Sequence, residues 1–432
     1  MARIGNLARL SRRWRQWIEP WQQCREYTTT AHLYNGKSEP RDSHLKFTDL
    51  VSTTGPKKIL ITGVSGQLGG GLATTLGLIT AIRQLLFLAR KIYGEHMVIK
   101  TDIVKPRKEK KFENTVGPVL YENIKLPELK IKKKSWNAKR KGQSCNEPEC
   151  MNTHCMLAEH FYYLDILNQS AVSQMVVDHN IDTIIHFSAL LSAVGEANVP
   201  LALKVNVEGV QNILEVAKRY KTQIFIPSSI GAFGPTTPLD HTPDLCIQRP
   251  RTIYGVTKVY AELLGEYYNE RFGVDFRSLR FPGIISATQP GGGTTDYAVQ
   301  IFYDALTYGK HKCYLRPDSR LPMMYDTDCT ASIIFYLTAP AEKLTRRTYN
   351  VTSYSFTPEE IATAIRRVLP NFQIDYEVCP IRQKIADSWP KSLDDTCAKR
   401  DWGWQPFYDL EATVNVMLEL VRCQLVLEGK TV

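Results

Sequence analysis

A serine, a tyrosine and a lysine near the middle of the chain have residue types and spacing suited to proton transfer. Ser229 follows the apolar run 223–226, and Tyr254 precedes Lys258 by four residues. Residues four apart on a helix share one face, so we expect the Lys258 ammonium to lie beside the Tyr254 phenol and to lower its pKa. The Ser229 hydroxyl would polarise a substrate alcohol or carbonyl. These residues predict a general acid–base site, although the tyrosine–lysine spacing also arises by chance on surface helices.

The elements around these residues predict an α/β protein. Short apolar runs alternate with helical patterns, and the runs cover residues 57–62, 97–102, 161–166, 182–189, 223–226 and 275–280. Such alternation is typical of a doubly wound parallel (Rossmann) sheet, in which ligands bind beyond the carboxyl ends of the strands. Ser229 lies at such an end. We therefore predict this fold, followed by a smaller mixed C-terminal substrate-binding region.

A glycine pattern after the first predicted strand indicates a dinucleotide site. Residues 63–69 read G-V-S-G-Q-L-G, with a strand pattern before them and a helical pattern after them. Glycines at these positions let the backbone approach a pyrophosphate, which then sits at the N-terminus of a helix. We expect cofactor contacts from Gly63, Gly66, Gln67, Leu68 and Gly69.

The second predicted strand ends in an acid that we expect to bind the cofactor ribose. Asp102 comes 33 residues after Gly69, whereas about twenty is usual, because residues 78–88 add roughly three helical turns. A carboxylate at this position accepts hydrogen bonds from ribose hydroxyls and repels a 2′-phosphate, so NAD is favoured over NADP. The alternative is an ordinary surface acid at a strand end.

Further cofactor contacts are predicted at the ends of the other strands. Small residues after the strand 182–189 allow a cofactor to pass closely, and the turn after 275–280 would cover the nicotinamide. The additional cofactor-binding predictions are Ile103, Asp165, Ile166, Ser188, Ala189, Leu190, Asn206 and Ile284, together with Tyr254 and Lys258. His186 has the type of a catalytic base, but we expect it to be a packed histidine at the strand end.

The net charge of +10 is concentrated in two stretches, so it does not indicate a nucleic-acid partner. The first is the N-terminal segment, where six arginines occur among the first 25 residues and the first acid is Glu19. An Arg-rich, acid-poor, amphipathic start is typical of a mitochondrial presequence. We interpret residues 1–54 as a transit peptide and linker to the matrix, with a disordered basic tail as the alternative. The sequence has no apolar stretch of membrane-spanning length, so we expect a soluble enzyme.

The second basic stretch, residues 105–160, has no persistent strand or helix period and is interpreted as a disordered Lys-rich insertion. It contains a group of residues with zinc-ligand side chains but without zinc-ligand spacing, namely Cys145, Cys150, His154 and Cys155. We predict no metal site, and reduced thiols throughout. The predicted organisation is a cofactor domain over 55–285, interrupted by this insertion, and a substrate-binding region over 286–432.

Several stretches resemble the extended short-chain dehydrogenase/reductase (NAD-dependent epimerase/dehydratase) family and, within it, the mitochondrial threonine dehydrogenases of animals. The most specific are H-F-S-A-L-L-S-A-V-G-E-A-N at 186–198, P-S-S-I-G-A-F-G-P at 227–235, I-Y-G-V-T-K at 253–258 and P-G-G-G-T-T-D-Y-A at 290–298. The resemblance covers about 57–104 and 161–425. The chain departs from the family pattern at 78–88 and 105–160, both in the cofactor half.

The resemblance implies oxidation of L-threonine by NAD to 2-amino-3-oxobutyrate. It implies that Tyr254 as phenolate takes the β-hydroxyl proton, that Lys258 holds the nicotinamide ribose, and that Ser229 bonds the reacting oxygen. Other substrate contacts implied by family positions are Ser192, Thr294 and Thr295, with Arg251 a weaker candidate.

The same resemblance implies a C2 homodimer through the helices that hold Asn206 and Tyr254. It also implies handover of the unstable ketone to a glycine C-acetyltransferase. Two other functions stay open at this point: a sugar-nucleotide epimerase that uses the same serine, tyrosine and lysine, and a non-catalytic NAD-binding sensor.

Overall fold

The computed structural model describes residues 58–63, 98–102, 161–287 and 293–430, and it describes the strand at 98–102 through its backbone. The predicted leader at 1–54, the extra helical turns at 78–88, the Lys-rich insertion at 105–160 and its cysteine group lie outside the described residues.

Thirteen strands occur among the described residues. They are β1 (Ile59–Thr62), β2 (Val98–Asp102), β3 (Phe161–Tyr163), β4 (Thr183–His186), β5 (Gln223–Phe225), β6 (Ser228–Ser229), β7 (Phe276–Phe281), β8 (Gly283–Ile285), β9 (Lys310–Cys313), β10 (Leu321–Tyr325), β11 (Thr348–Asn350), β12 (Tyr354–Phe356) and β13 (Gln373–Tyr376). Eight of them form the central sheet, in the order β3-β2-β1-β4-β5-β7-β11, with β6 also paired to β7. Every pair in this sheet is parallel, which confirms the predicted doubly wound fold.

The strand register brings the candidate site segments to one edge of the sheet. Thr62, the last residue of β1, pairs with His186 at the end of β4 and with Thr101 near the end of β2. Ser229, the last residue of β6, pairs with Phe281 at the end of β7. All four residues of β1 are buried, as expected for a central parallel strand covered on both faces. The carboxyl ends of these strands therefore share the edge where ligands bind in such folds.

The helices that connect and cover the strands begin and end at conventional signals. Those described are α1 (Gln169–His179), α2 (Ser192–Ala197), α3 (Val199–Leu203), α4 (Gly209–Tyr220), α5 (Ile253–Phe272), α6 (Tyr297–Tyr308), α7 (Asp326–Thr338), α8 (Pro358–Val368), α9 (Pro380–Ala386), α10 (Thr396–Trp402) and α11 (Leu410–Leu427). The long helix α5 begins after Thr252, whose side chain accepts a bond from the Gly255 N–H, and ends at Gly273 with φ +69°. Glycine tolerates that left-handed geometry. Among the described residues, none of the helices combines the length and apolar character that a bilayer crossing needs.

The C-terminal part adds two small sheets, β12-β10-β8 and β13-β9. At the start of α8, Thr357 and Glu360 form a reciprocal capping box with Pro358 at the first helical position. Trp404 is fully buried and packs against the Trp402 ring.

Close packing of α5 on the sheet requires a glycine. A Cβ atom at Gly265 would lie 2.3 Å from the ring of Phe276, which is fully buried in the core. Overpacking of this kind costs about 1–3 kcal/mol, against a gain of up to about 1 kcal/mol from the better helix propensity of alanine. We expect Gly265→Ala to lower the midpoint of urea unfolding. Glu270→Ala, on the exposed face of α5, is the control, and equal midpoints for the two variants would contradict this packing.

Candidate active site

The predicted tyrosine and lysine lie in the first two turns of α5. Tyr254 follows the first residue of the helix, and Lys258 lies one turn further on. The Lys258 side chain is buried, and its Nζ donates to the Pro227 carbonyl at 2.6 Å. The same Nζ lies 5.4 Å from the centroid of the Tyr254 ring. The helix therefore holds the ammonium near the phenol ring, as the four-residue spacing predicts.

Ser229 completes this group from the sheet. As the last residue of β6, it is followed by a 3₁₀ turn (Ile230–Ala232), and its Oγ accepts a bond from the Gly231 N–H at 3.1 Å. The Ser229 hydroxyl lies close enough to the Tyr254 phenol to lower its pKa. A Cβ on Gly231 would lie 3.4 Å from the Tyr254 ring and 3.6 Å from the Ser229 Oγ. The structure thus brings together the three residues that the sequence singled out as catalytic.

The pKa of the Tyr254 phenol is raised, whereas the sequence predicted that it is lowered. Although Tyr254 keeps some exposed surface, protein surrounds its hydroxyl, and this burial raises the pKa of the phenol to about 12, with only the Ser229 hydroxyl opposing it. Burial lowers the pKa of Lys258 to about 8. The prediction that Lys258 keeps the phenol acidic is therefore wrong for this geometry, because the ammonium is bound to the Pro227 carbonyl and desolvation dominates.

A buried ion pair behind the site was not singled out from the sequence. Glu262 lies one turn beyond Lys258 on α5 and is paired with Arg280 of β7 at 2.8 Å. Both side chains are almost completely buried. The signal for Glu262 was available, since it continues the four-residue spacing of Tyr254 and Lys258, but its partner is distant in sequence.

The predicted cofactor edge has a close approach between two strand ends. Gly63 follows β1 with φ +74°, and a Cβ there would lie 2.6 Å from the Ser188 backbone nitrogen. A residue with a side chain is excluded by both the backbone conformation and the space. Asp102 lies at the end of β2, next to β1, with only its backbone described. The predicted contacts Gly66, Gln67, Leu68, Gly69 and Ile103 lie outside the described residues.

His186 is confirmed as a packed histidine at a strand end. It is buried, and its Nδ1 shares a hydrogen bond of 2.9 Å with the Thr62 hydroxyl. Burial, reinforced by the nearby Lys258 charge, lowers the pKa of His186 to about 3. The imidazole is therefore neutral at physiological pH.

Two residues predicted to bind the cofactor, Asp165 and Ile166, also make contacts within the fold. One Asp165 carboxylate oxygen accepts from the Leu167 N–H at 2.9 Å. Ile166 is buried and packs so tightly on Gly209 that a Cβ there would lie 2.5 Å from its Cδ1. Their contacts with the cofactor stay predictions.

Asn206 holds the loop after β4 in place. Its amide accepts from the Leu190 N–H at 2.8 Å and donates to the Leu190 carbonyl at 2.9 Å and to the Thr257 hydroxyl at 3.1 Å. It lies in a π-helical turn (Lys204–Glu208) before α4. The amide thus ties the segment of Ser188 and Ala189 to α5, and a direct cofactor contact by Asn206 stays a prediction.

The predicted substrate residues lie on separate segments. Ser192 begins α2. Thr294 and Thr295 are half-buried in the turn before α6, and a Cβ on Gly283 would lie 3.0 Å from the Thr295 methyl group. Ile284, beside Gly283 in β8, is half-buried, whereas Arg251 is exposed. Where the structure is described, no cluster of three or more His, Cys, Asp or Glu side chains is arranged to hold a metal ion.

The fold and this constellation match a known family. The model of the NAD dependent epimerase/dehydratase family matches residues 59–352. The chain belongs to this family.

Several relatives share one named activity. The chain is 46% identical over 380 residues to the mitochondrial L-threonine 3-dehydrogenase of Bos taurus, across 88% of this chain and 86% of the relative. It resembles the crystal structure of L-threonine dehydrogenase from Phytophthora infestans with a TM-score of 0.69 and 41% identity, covering 85% of this chain and all of that chain. The holo form of a GalE-like L-threonine dehydrogenase from Cupriavidus necator aligns with a TM-score of 0.66 and 36% identity, over 84% and 98% of the two chains.

NAD is the cofactor of this oxidoreductase. The described residues fit a dinucleotide, because Gly63 has no side chain to cover its backbone at the edge where β1 and β4 end. A pyrophosphate can approach the backbone closely where no side chain lies between them.

Replacement of Gly63 tests this fit. Gly63→Ala puts a methyl group against the Ser188 backbone at a positive φ, so we expect NADH affinity to fall at least about tenfold, which corresponds to about 1.4 kcal/mol. Gly273→Ala is the matched control, since Gly273 has φ +69° but open space around it. Titration of NADH fluorescence measures both variants. Equal affinity for wild type and Gly63→Ala would show that this edge does not bind the cofactor.

Proposed function

We propose that the chain oxidises the β-hydroxyl of L-threonine to L-2-amino-3-oxobutyrate with NAD. The observation that supports this most strongly is the convergence of Ser229, Tyr254 and Lys258 in a chain so similar to the bovine enzyme. Bound NAD⁺ supplies the hydride acceptor.

The proposed roles follow from the chemistry of each group. The Tyr254 phenolate takes the proton of the substrate hydroxyl, and the Ser229 hydroxyl donates a hydrogen bond to the same oxygen. Because the pKa of the phenol is about 12 in the free chain, Tyr254 is protonated there. Ligand binding must therefore lower this pKa. Positive charge near the ring does so, and Lys258, whose Nζ lies 5.4 Å from the ring centroid, is placed to contribute it.

The amino and carboxylate groups of the substrate need fixed polar partners. We assign these contacts to Ser192, Thr294 and Thr295, with Arg251 as a weaker candidate. Cofactor contacts are assigned to the positions predicted above, from Gly63 at the end of β1 to Ile284 in β8. The epimerase alternative is not favoured, since the three relatives reported above, at 36%, 41% and 46% identity, are named L-threonine dehydrogenases.

We also propose a location in the mitochondrial matrix, with residues 1–54 as the transit peptide and linker. Support comes from the Arg-rich, acid-poor start and from the mitochondrial location in the name of the bovine relative. Residues 55–285 would form the cofactor domain and 286–432 the substrate-binding region. Because the product is a reactive β-keto acid, coupling to a glycine C-acetyltransferase would remove it.

A homodimer is proposed on the outer face of α5. Val256, Leu263 and Tyr267 are each about half exposed, and their spacing of seven and four residues places them on one stripe. Val199 and Leu203 of α3 add exposed apolar surface. Apolar surface of this kind favours association in a symmetric pair.

The enzymatic proposal predicts a separation of binding from turnover at Tyr254. Tyr254→Phe removes the proton acceptor and keeps the ring, so we expect turnover of L-threonine to fall at least about 100-fold, with NADH affinity changed less than about threefold. NADH absorbance follows turnover, and NADH fluorescence follows binding.

The outcomes of this assay discriminate the alternatives. Wild-type protein that reduces no NAD with L-threonine but interconverts UDP-sugars would replace the proposal with the epimerase. Normal turnover by Tyr254→Phe would remove Tyr254 from the mechanism. NADH binding without turnover of either substrate class would favour the sensor.

The dimer proposal predicts that a charge on the α5 stripe separates the subunits. Leu263→Glu buries a carboxylate in the proposed interface, so we expect light scattering to give the mass of one chain instead of two. Ile381→Glu, at an exposed apolar position of α9, is the control and should keep the wild-type mass. A wild-type protein that is already monomeric at micromolar concentration would contradict the proposal.

A further inference from the structure

Three segments of the chain donate hydrogen bonds to the carboxylate of Glu262. Arg280 of β7 donates from Nε at 3.0 Å to Oε1 and from a terminal nitrogen at 2.8 Å to Oε2. Ser228 of β6 donates its hydroxyl to Oε1, and Gln248, in the loop before α5, donates to Oε2 at 3.0 Å. Glu262 thus connects β7, β6 and this loop to α5.

The same carboxylate is adjacent to two residues of the active site. Ser228 directly precedes Ser229, and Lys258 lies one turn before Glu262 on α5. Arg280 extends the connection, since it also donates to the Asp244 carbonyl at 2.7 Å. A displacement of the Glu262 side chain would therefore move the strand end that carries Ser229.

Stability alone is a weak reason for this arrangement. Replacing a buried ion pair by apolar residues of similar size is often neutral or stabilising. Glu262 and Arg280 are both at least 95% buried, so the pair is costly to desolvate. An adjacent group that uses the negative charge would account for its presence.

We propose that Glu262 is a positioning residue of the active site: with Arg280 as its buried partner, it holds the Ser228–Ser229 strand end and keeps a negative charge one helical turn from Lys258. This inference rests on the proposed dehydrogenase function.

Among the titratable groups that face Lys258 and Arg280, Glu262 is the carboxylate that raises the pKa of the Lys258 ammonium. His186 from β4 also faces Lys258, but its low pKa keeps it neutral. Asp244 and Cys246, from the loop before α5, face Arg280, and burial raises the pKa of both. Burial lowers the pKa of Lys258 to about 8, and Glu262 opposes that shift. Loss of the Glu262 charge would lower the pKa further, so Lys258 would lose its proton at lower pH.

The experiment compares the pH dependence of kcat for L-threonine in Glu262→Gln and wild type. We expect kcat to fall about tenfold with KM changed less than about threefold, and the alkaline loss of activity to move to lower pH by about one unit. Glu262→Asp keeps the charge on a shorter side chain, so it should restore the wild-type pH dependence while kcat stays reduced.

Asp275→Asn is the matched control. It removes the carboxylate partner of a second buried arginine, Arg277. Asp275 lies just before the first residue of β7, whereas Arg280 lies near the other end of that strand. It should lower stability without moving the pH profile. If Glu262→Gln does not fold because Arg280 loses its counter-charge, the double variant Glu262→Gln, Arg280→Met removes both charges and should show the same pH shift. A wild-type pH profile in the Gln variants, or an equal shift in Asp275→Asn, would overturn the proposal.

A titration separates this proposal from the proposed function. The ¹³Cε signal of Lys258, assigned by its loss in Lys258→Met, reports the pKa of the ammonium without turnover. We expect Glu262→Gln to lower that pKa by about one unit. An unchanged value would overturn the role of Glu262 even in an active enzyme, whereas a wild type that is inactive on L-threonine would remove the proposed function and leave this titration as the test.

Discussion

The geometry of the site depends on the hydrogen bond that the buried ammonium of Lys258 donates to the Pro227 carbonyl. A charge removed from water needs polar partners, and Lys258 has the Pro227 carbonyl at 2.6 Å and the Glu262 carboxylate one turn away on the same helix. Pro227 precedes the short strand that carries Ser228 and Ser229, so satisfying this one charge fixes the distance between that strand and α5. The phenol of Tyr254 then has Ser229 on one side and the ammonium near its ring.

The rest of the fold holds this group at the edge where a dinucleotide fits. Parallel pairing of β1 with β4 places Gly63 against the Ser188 backbone, and Asn206 fastens the next residues of that loop to Thr257 on α5. One helix therefore carries Tyr254 and Lys258, the residues proposed for proton transfer, and also anchors a loop on the predicted cofactor edge. The partly exposed stripe of α5, formed by Val256, Leu263 and Tyr267, is left for contact with a second subunit. The same helix therefore contributes both to the site and to the proposed dimer interface.

Most of the architecture could be predicted from the sequence because its signals are local. The apolar runs gave the strands, Thr252 and Gly273 mark the ends of α5, and the four-residue spacing placed Tyr254 and Lys258 on one face. The pKa of Tyr254 could not be predicted in this way, because it depends on how much protein surrounds the hydroxyl. The Glu262–Arg280 pair was missed for a similar reason: its partners on β6, β7 and the loop before α5 meet only in the folded chain. The contacts of the Asn206 amide with Leu190 and Thr257 were missed in the same way, because these residues are distant in sequence.

We propose that Tyr254 is a neutral phenol in the free protein and becomes a base only when the site is occupied. The most direct test is the pKa of Tyr254, measured from the ¹³Cζ signal of labelled tyrosine, assigned with Tyr254→Phe, with and without NAD⁺. We expect a pKa of about 12 in the free protein and a value at least about two units lower in the complex, because positive charge near a phenol favours the phenolate. A pKa that NAD⁺ leaves unchanged, or a phenol already ionised near neutral pH in the free protein, would contradict it.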